Sequence, residues 1–136
     1  MKTFAAALLF IGAQAGPAVH SSEVCVTNSA GFVMDFYFND LVTGEKSSAT
    51  DRYPIDQTKC VHISKVLGDV KEGDLIMTYV KAIAGTTNSV STAVVYDASA
   101  PAITFTCTGT TLNYSCPMNG EDEAEKIARF ITDMLQ

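Results

Sequence analysis

Residues 32–38, FVMDFYF, alternate between two kinds of side chain. In an extended chain, successive side chains point to opposite faces, so every second residue shares a face. One face of this stretch carries four large apolar side chains: Phe32, Met34, Phe36 and Phe38. The other face is mixed, with Val33, Asp35 and Tyr37. The pattern predicts a β-strand that buries its aromatic face in a hydrophobic core.

Turn signals on both sides of this strand set the organisation of the chain. Residues 28–31, Asn-Ser-Ala-Gly, separate it from a short alternating run at 24–27, which predicts a first hairpin. Further turn-like segments recur at 43–46, 71–74, 85–89 and 99–101. About eight short strands at this spacing are typical of an antiparallel β-sandwich. We therefore expect a mainly β, single-domain sandwich over residues 16–118.

The last segment, residues 119–136, changes its period from two to three and four. This predicts a C-terminal amphipathic helix, capped by Asn119 and followed by acidic residues that favour a helix N-terminus. We expect the helix either to pack on the sandwich or to dock on a partner. Its candidate docking face is Ile127, Ile131, Met134 and Leu135.

The first fifteen residues have the form of a secretory signal peptide. Lys2 is followed by an apolar run at 4–11 and by Ala13-Gln14-Ala15, a small-x-small cleavage site. The run is too short to cross a bilayer as a helix, which takes about 20 apolar residues. We expect cleavage after Ala15 and a secreted, extracellular or secretory-lumen protein.

The even number of cysteines agrees with an oxidising compartment. Cys25, Cys60, Cys107 and Cys116 can form two disulfides in three pairings. The shorter loops favour Cys25–Cys60 and Cys107–Cys116. A tight turn at 108–111 would nevertheless place Cys107 opposite Leu112 and out of reach of Cys116. A loop centred nearer Thr111 would restore the second bridge.

Charge and composition disfavour several functions. A formal charge of −6 and a pI near 4.7 disfavour nucleic acid as a partner, because the chain does not offset phosphate charge. His62 is the one well-placed histidine for nucleophilic catalysis, and it lies on an alternating strand. The carboxylates fall in turns, and the chain lacks a phosphate-binding glycine loop. We expect no enzyme activity, no catalytic residues, no cofactor and no metal.

Two features bear on modification and partners. Asn113-Tyr114-Ser115 is an N-glycosylation sequon, which makes Asn113 a candidate glycan acceptor. The five tyrosines suit contact with protein or carbohydrate, because each combines apolar area with a hydrogen-bonding tip.

A secreted, disulfide-stabilised, non-enzymatic binding or structural module is therefore the leading functional hypothesis. One alternative is a subunit of a larger assembly, docked through the C-terminal helix or a retained N-terminus. Another is a membrane-active sandwich that binds a membrane surface. The layout of leader, short strands and two disulfides resembles small secreted β-sandwich proteins, including membrane-binding cytolysins and lectin-like modules. No residue roles follow from that resemblance.

Overall fold

The computed structural model describes residues 18–120, 131–132 and 134–135. These residues form nine strands and one short helix. The strands are β1 (His20–Ser21), β2 (Glu23–Asn28), β3 (Met34–Asp40), β4 (Gln57–His62), β5 (Leu75–Ala82), β6 (Thr87–Ser89), β7 (Val94–Tyr96), β8 (Ile103–Thr110) and β9 (Asn113–Ser115), and the helix is α1 (Ile63–Val66).

The strands are arranged in two mixed sheets. The first sheet has the order β1-β7-β5-β3, with β6 also paired to β5, and the second has the order β4-β2-β8-β9. The prediction of a mainly β chain is confirmed. A purely antiparallel arrangement is wrong, because β1 pairs with β7 and β2 pairs with β8 in parallel. Parallel pairing requires a long crossover connection, and here the connection from β2 to β8 contains strands of both sheets.

Both sheets contribute to one hydrophobic core, which buries the apolar face of residues 32–38. Met34, Phe36 and Phe38 are fully buried, whereas Phe32 packs partly buried at the margin. The hydroxyl of the buried Tyr53 donates to the carbonyl of Val26 in the second sheet at 2.9 Å. The alternation therefore predicted correctly which face of β3 enters the core.

The predicted first hairpin is wrong, because β2 and β3 lie in different sheets. The buried side chain of Asn28 accounts for the path of the chain. Its amide group donates to the carbonyls of Phe32 and Tyr53, and its oxygen accepts from the backbone N–H of Ala30. These three bonds direct the chain over the end of the core into the other sheet.

Two disulfides are present, Cys25–Cys60 and Cys107–Cys116. The second lies at the base of a hairpin whose turn is 111–112, because Thr110 pairs with Asn113. A turn centred there places the two cysteines opposite each other, whereas a turn at 108–111 would have separated them.

The predicted C-terminal amphipathic helix is not supported, because α1 in mid-chain is the one helix defined among the described residues and most of residues 121–136 lies outside them. Asn119 is hydrogen-bonded to β8: its N–H donates to the carbonyl of Thr104, and its side-chain oxygen accepts from the hydroxyl of Thr106. Ile127 lies outside the described residues, while Ile131, Met134 and Leu135 are all exposed. The proposed signal peptide at 1–15 also lies outside them. Within the part of the chain that the structure describes, no helix is long and apolar enough to cross a membrane.

Candidate binding surface

Four loops meet at the end of the molecule where β3 begins. They are residues 29–33, 54–56, 83–86 and 111–112, and the set is called the apolar end below. Backbone hydrogen bonds join them: Gly31 to Gly109 at the base of the last hairpin, Ile83 to Val33, and Thr86 to Thr111. Asp56 N–H donates to the carbonyl of Asn28, which adds the fourth loop.

Three of these loops expose a large aliphatic side chain. Val33 is 40% exposed, Ile55 49% and Leu112 74%. The four loops together contain a single charged residue, Asp56. Exposed apolar side chains grouped on a surface with little charge are typical of an interaction site.

The hairpin that carries Leu112 is held by the buried Tyr114. The Tyr114 hydroxyl oxygen lies 2.7 Å from the carbonyl oxygens of both Val80 and Thr86 in the first sheet. Burial raises the pKa of Tyr114, so the phenol remains a donor. Its ring also packs against that of Phe32, with centroids 4.8 Å apart. These contacts fix the last hairpin against two other loops of the apolar end.

Two glycines allow close backbone contacts at the last hairpin, one within the hairpin and one against the loop at 83–86. Gly109 has φ +125°, and a Cβ there would lie 2.4 Å from the carbonyl oxygen of Asn113. A Cβ on Gly85 would lie 2.4 Å from the carbonyl oxygen of Thr111. Only glycine fits either position without a backbone shift. The apolar end is thus a set of fixed loops on a rigid base, an arrangement that suits binding.

The opposite end of the molecule is acidic. Its loops, residues 41–45, 67–74 and 97–102, carry five carboxylates and one lysine. The Glu45 carboxylate accepts from the N–H groups of Gly68 and Asp69, and Glu72 accepts from that of Ala98. These loops are called the acidic end below. The two ends therefore differ sharply in charge.

A pair of buried carboxyl groups, Asp40 and Asp74, lies at the acidic end. The hydrogen bond to Asp40 raises the pKa of Asp74. Burial disfavours ionisation of Asp40, but hydrogen bonds from Asp74 and from the N–H groups of Val42 and Thr43 outweigh it and lower the pKa of Asp40. These opposite shifts mean that Asp40 ionises first and that Asp74 keeps its proton to higher pH.

The histidines and the Cys25–Cys60 bridge lie elsewhere. His62 Nε2 is 3.4 Å from a Glu23 oxygen, in the cross-strand pair next to Cys25–Cys60 on the outer face of the second sheet. His20 Nδ1 is 3.5 Å from an Asp97 oxygen at the acidic end. Both imidazoles are about half exposed, and each faces a carboxylate.

Among the described residues, no group of three or more His, Cys, Asp or Glu side chains could hold a metal ion. The carboxylates that the sequence placed in turns do not form such a group, and Asp74 lies in the pair with Asp40.

The tyrosines do not form one surface. Tyr53, Tyr96 and Tyr114 are buried. Tyr37 and Tyr79 stack on each other across β3 and β5 with centroids 5.5 Å apart. The Lys46 ammonium lies 4.9 Å from the centre of the Tyr37 ring. These contacts cover ring area that a sugar would stack on.

Beside the apolar end, a polar cleft of about 480 Å³ separates β6 from β9. Tyr114 is the one titratable side chain that lines it, and its hydroxyl is already engaged with Val80 and Thr86. The other lining residues are Thr87, Asn88, Ser89, Ser91, Ser115, Cys116 and Pro117. The cleft offers hydroxyl and amide groups, which hydrogen-bond but do not supply general acid–base chemistry.

Sequence reasoning missed the apolar end. Val33, Ile55 and Leu112 each occur within two residues of a Gly, Pro or Asn, although Val33 was assigned to the predicted strand at 32–38. An aliphatic residue beside a turn-forming residue is the signal that marks each of them. Their grouping at one end follows from the pairing of the strands and is not visible in the sequence.

No family model matches the chain, and no curated protein matches it. Among solved structures, that of pneumolysin is similar with a TM-score of 0.43 and 14% identity over 72% of this chain. A Gram-negative toxin is similar with a TM-score of 0.42 and 17% identity over 74% of this chain. In both cases the chain spans 23% of the length of the toxin. Similarity at this level assigns no role to any residue.

Proposed function

We propose that this chain is a secreted, disulfide-stabilised binding module without catalytic activity, and that its apolar end docks on a neutral lipid bilayer. The single observation that carries the proposal is that Val33, Ile55 and Leu112 are exposed on loops of one end, which are held by backbone hydrogen bonds and carry almost no charge. Two disulfides and the N-terminal leader pattern support secretion.

The distribution of charge favours a neutral bilayer over an anionic one. An anionic membrane attracts clusters of Lys and Arg, and the described loops of the apolar end have no such cluster, since the exposed Arg52 and Lys81 adjoin two different loops singly. Four carboxylates of the acidic end are not buried and would be repelled by such a surface: Glu45, Asp69, Glu72 and Asp97. With the apolar end against a neutral bilayer, these carboxylates point away from the lipid and stay hydrated.

The composition of the apolar end also favours lipid over a protein partner. Energetically important sites on protein interfaces are enriched in Trp, Tyr and Arg. The nearest tyrosines, Tyr53 and Tyr114, turn their rings into the core. The exposed large side chains there are aliphatic, which suits the hydrocarbon edge of a bilayer.

The expected affinity is low and the docking reversible. Burying a whole aliphatic side chain contributes about 2 kcal/mol. The exposed parts of the three side chains then contribute about 3 kcal/mol together, a partition gain of roughly two orders of magnitude. Attachment should therefore need a high lipid concentration or several copies on one surface.

The absence of catalysis is proposed from the surroundings of the titratable groups. His20 and His62 each face a carboxylate on the surface, and the lining of the polar cleft offers no acid–base pair. The alternative of an assembly subunit depends on the segments before residue 18 and after residue 120. It stays a prediction, because those segments lie largely outside the described residues.

Flotation with phosphatidylcholine vesicles tests the proposal. We expect a fraction of the protein to float that rises with lipid concentration, and that does not increase when anionic lipid is added. Failure to float with vesicles of any composition would contradict lipid docking. In that case, cross-linking through a cysteine placed at Ile55 tests whether the apolar end contacts a protein.

A further inference from the structure

The sequon at 113–115 is presented to solvent by the fold. In β9 the side chain of Tyr114 is buried, and successive strand residues face opposite sides, so Asn113 and Ser115 both point outward. Both residues are exposed. The acceptor amide and the hydroxyl that completes the sequon are therefore accessible, while the tyrosine between them anchors the strand.

The same sequon borders the apolar end. Thr110 pairs with Asn113 around a two-residue turn, so Asn113 is the first strand residue after the turn. It directly follows Leu112, the most exposed aliphatic residue of the apolar end. Consecutive Cα atoms are about 3.8 Å apart, and an N-linked glycan is much larger than a leucine side chain. A glycan on Asn113 would stand beside Leu112 and above the loop tip.

We propose that Asn113 carries an N-linked glycan and that this glycan controls access to the apolar end. The second half of this proposal rests on the proposed docking function. The glycosylated form would be shielded and the unmodified form competent to dock. Incomplete modification would then divide the secreted protein into two populations with different affinity for a bilayer.

The modification needs a lipid-diphosphate-linked oligosaccharide as donor. The amide nitrogen of Asn113 attacks C1 of the first sugar, and a C1–N bond forms. The C1–O bond to the diphosphate breaks, the lipid diphosphate leaves with the bonding electrons, and the amide nitrogen loses one proton. The hydroxyl of Ser115 is needed for recognition of the sequon and is not consumed.

The test expresses the full chain in a eukaryotic secretory host and compares it with two single variants. Ser115→Ala removes the sequon and leaves Asn113 in place. Thr108→Ala is the matched control, because Thr108 is the exposed partner of Ser115 on β8 and lies outside the sequon. Intact mass measures the glycan, and flotation with phosphatidylcholine vesicles measures docking.

We expect wild type and Thr108→Ala to carry a glycan mass that Ser115→Ala lacks. We also expect Ser115→Ala to float at least about tenfold more than the glycosylated protein, the effect of withdrawing one aliphatic side chain from lipid. A wild-type mass equal to the polypeptide overturns the glycan assignment.

Two further outcomes separate this proposal from the docking function. Equal flotation of the glycosylated wild type and Ser115→Ala overturns the control of access while docking stands. If the wild type is glycosylated and Ser115→Ala also fails to float, the docking function is overturned and the glycan assignment stands.

Discussion

Replacing Leu112 with serine should reduce lipid docking more than any other single truncation at the apolar end. Full burial of a leucine side chain contributes about 2 kcal/mol, and 74% of this one is exposed in the free protein. The loss should be about 1.5 kcal/mol, which corresponds to a roughly tenfold weaker partition into vesicles. Because the side chain is largely exposed, the free energy of unfolding should change by less than about 0.5 kcal/mol.

Val42→Ser is the matched control for this change. Val42 is also an aliphatic loop residue and is 66% exposed, but it lies at the acidic end. Both variants lose a similar exposed apolar area, so a non-specific effect of surface hydrophobicity would weaken both equally. Our account predicts that only Leu112→Ser loses flotation.

The assay is vesicle flotation over a range of phosphatidylcholine concentrations, using the Ser115→Ala background so that no glycan intervenes. Urea unfolding of each variant shows whether the fold is kept. Equal flotation of Leu112→Ser and Val42→Ser, with both folded, would refute the assignment of docking to the apolar end.

Three further predictions concern the scaffold and its pH dependence. Replacing both cysteines of the Cys107–Cys116 disulfide with alanine should lower the free energy of unfolding by about 2.5–3 kcal/mol in urea titrations, since the bridge closes a loop of sequence separation 9; no loss would show that the bridge does not restrain the unfolded chain. Gly109→Ala should lower the free energy of unfolding by about 3 kcal/mol or more in the same assay, because its φ is +125° and the added Cβ would meet backbone atoms. Gly68→Ala is the control: its Cβ would have free space, and the loss should be less than about 1 kcal/mol. The raised pKa of Asp74 contributes stability that is fully present below its unfolded value and lost as pH rises through the folded value, so this contribution to stability should fall as the pH rises above 3.8. Asp74→Asn keeps a hydrogen-bond donor without a titrating proton and should remove this fall, while the exposed Asp69→Asn should not; an unchanged pH profile in Asp74→Asn would contradict the raised pKa of Asp74.

The strands were more predictable than their pairing. Period-two alternation at 32–38 depends on local geometry alone, so it correctly assigned Met34, Phe36 and Phe38 to the core. The partner of a strand depends on contacts far away in sequence. The parallel pairing of β2 with β8 joins segments about 80 residues apart, and no local pattern specifies it.

The first hairpin shows how one side chain can override a local signal. A strand, a short turn and a second strand favour a hairpin when nothing else competes. Here the buried Asn28 satisfies the carbonyls of Phe32 and Tyr53 and the N–H of Ala30, so the connection crosses between the sheets. These bonds need Tyr53 in place, which only the folded core provides.

The candidate site illustrates the same limit. The sequence placed Leu112 next to a turn between two cysteines and identified Asn113 as a candidate glycan acceptor. The loops that carry Leu112, Val33 and Ile55 reach one end of the molecule only after strands that are distant in sequence have paired. The charge contrast between the two ends likewise depends on which loops share an end.

A single introduced tryptophan measures the contact between the apolar end and lipid most directly. The chain contains no tryptophan, so the fluorescence of Leu112→Trp in the Ser115→Ala background reports that position alone. On addition of phosphatidylcholine vesicles, we predict a blue shift of its emission and quenching by a quencher held within the bilayer, with neither effect for Val42→Trp. Unchanged emission of Leu112→Trp at saturating lipid, or a shift of Val42→Trp instead, would contradict the account.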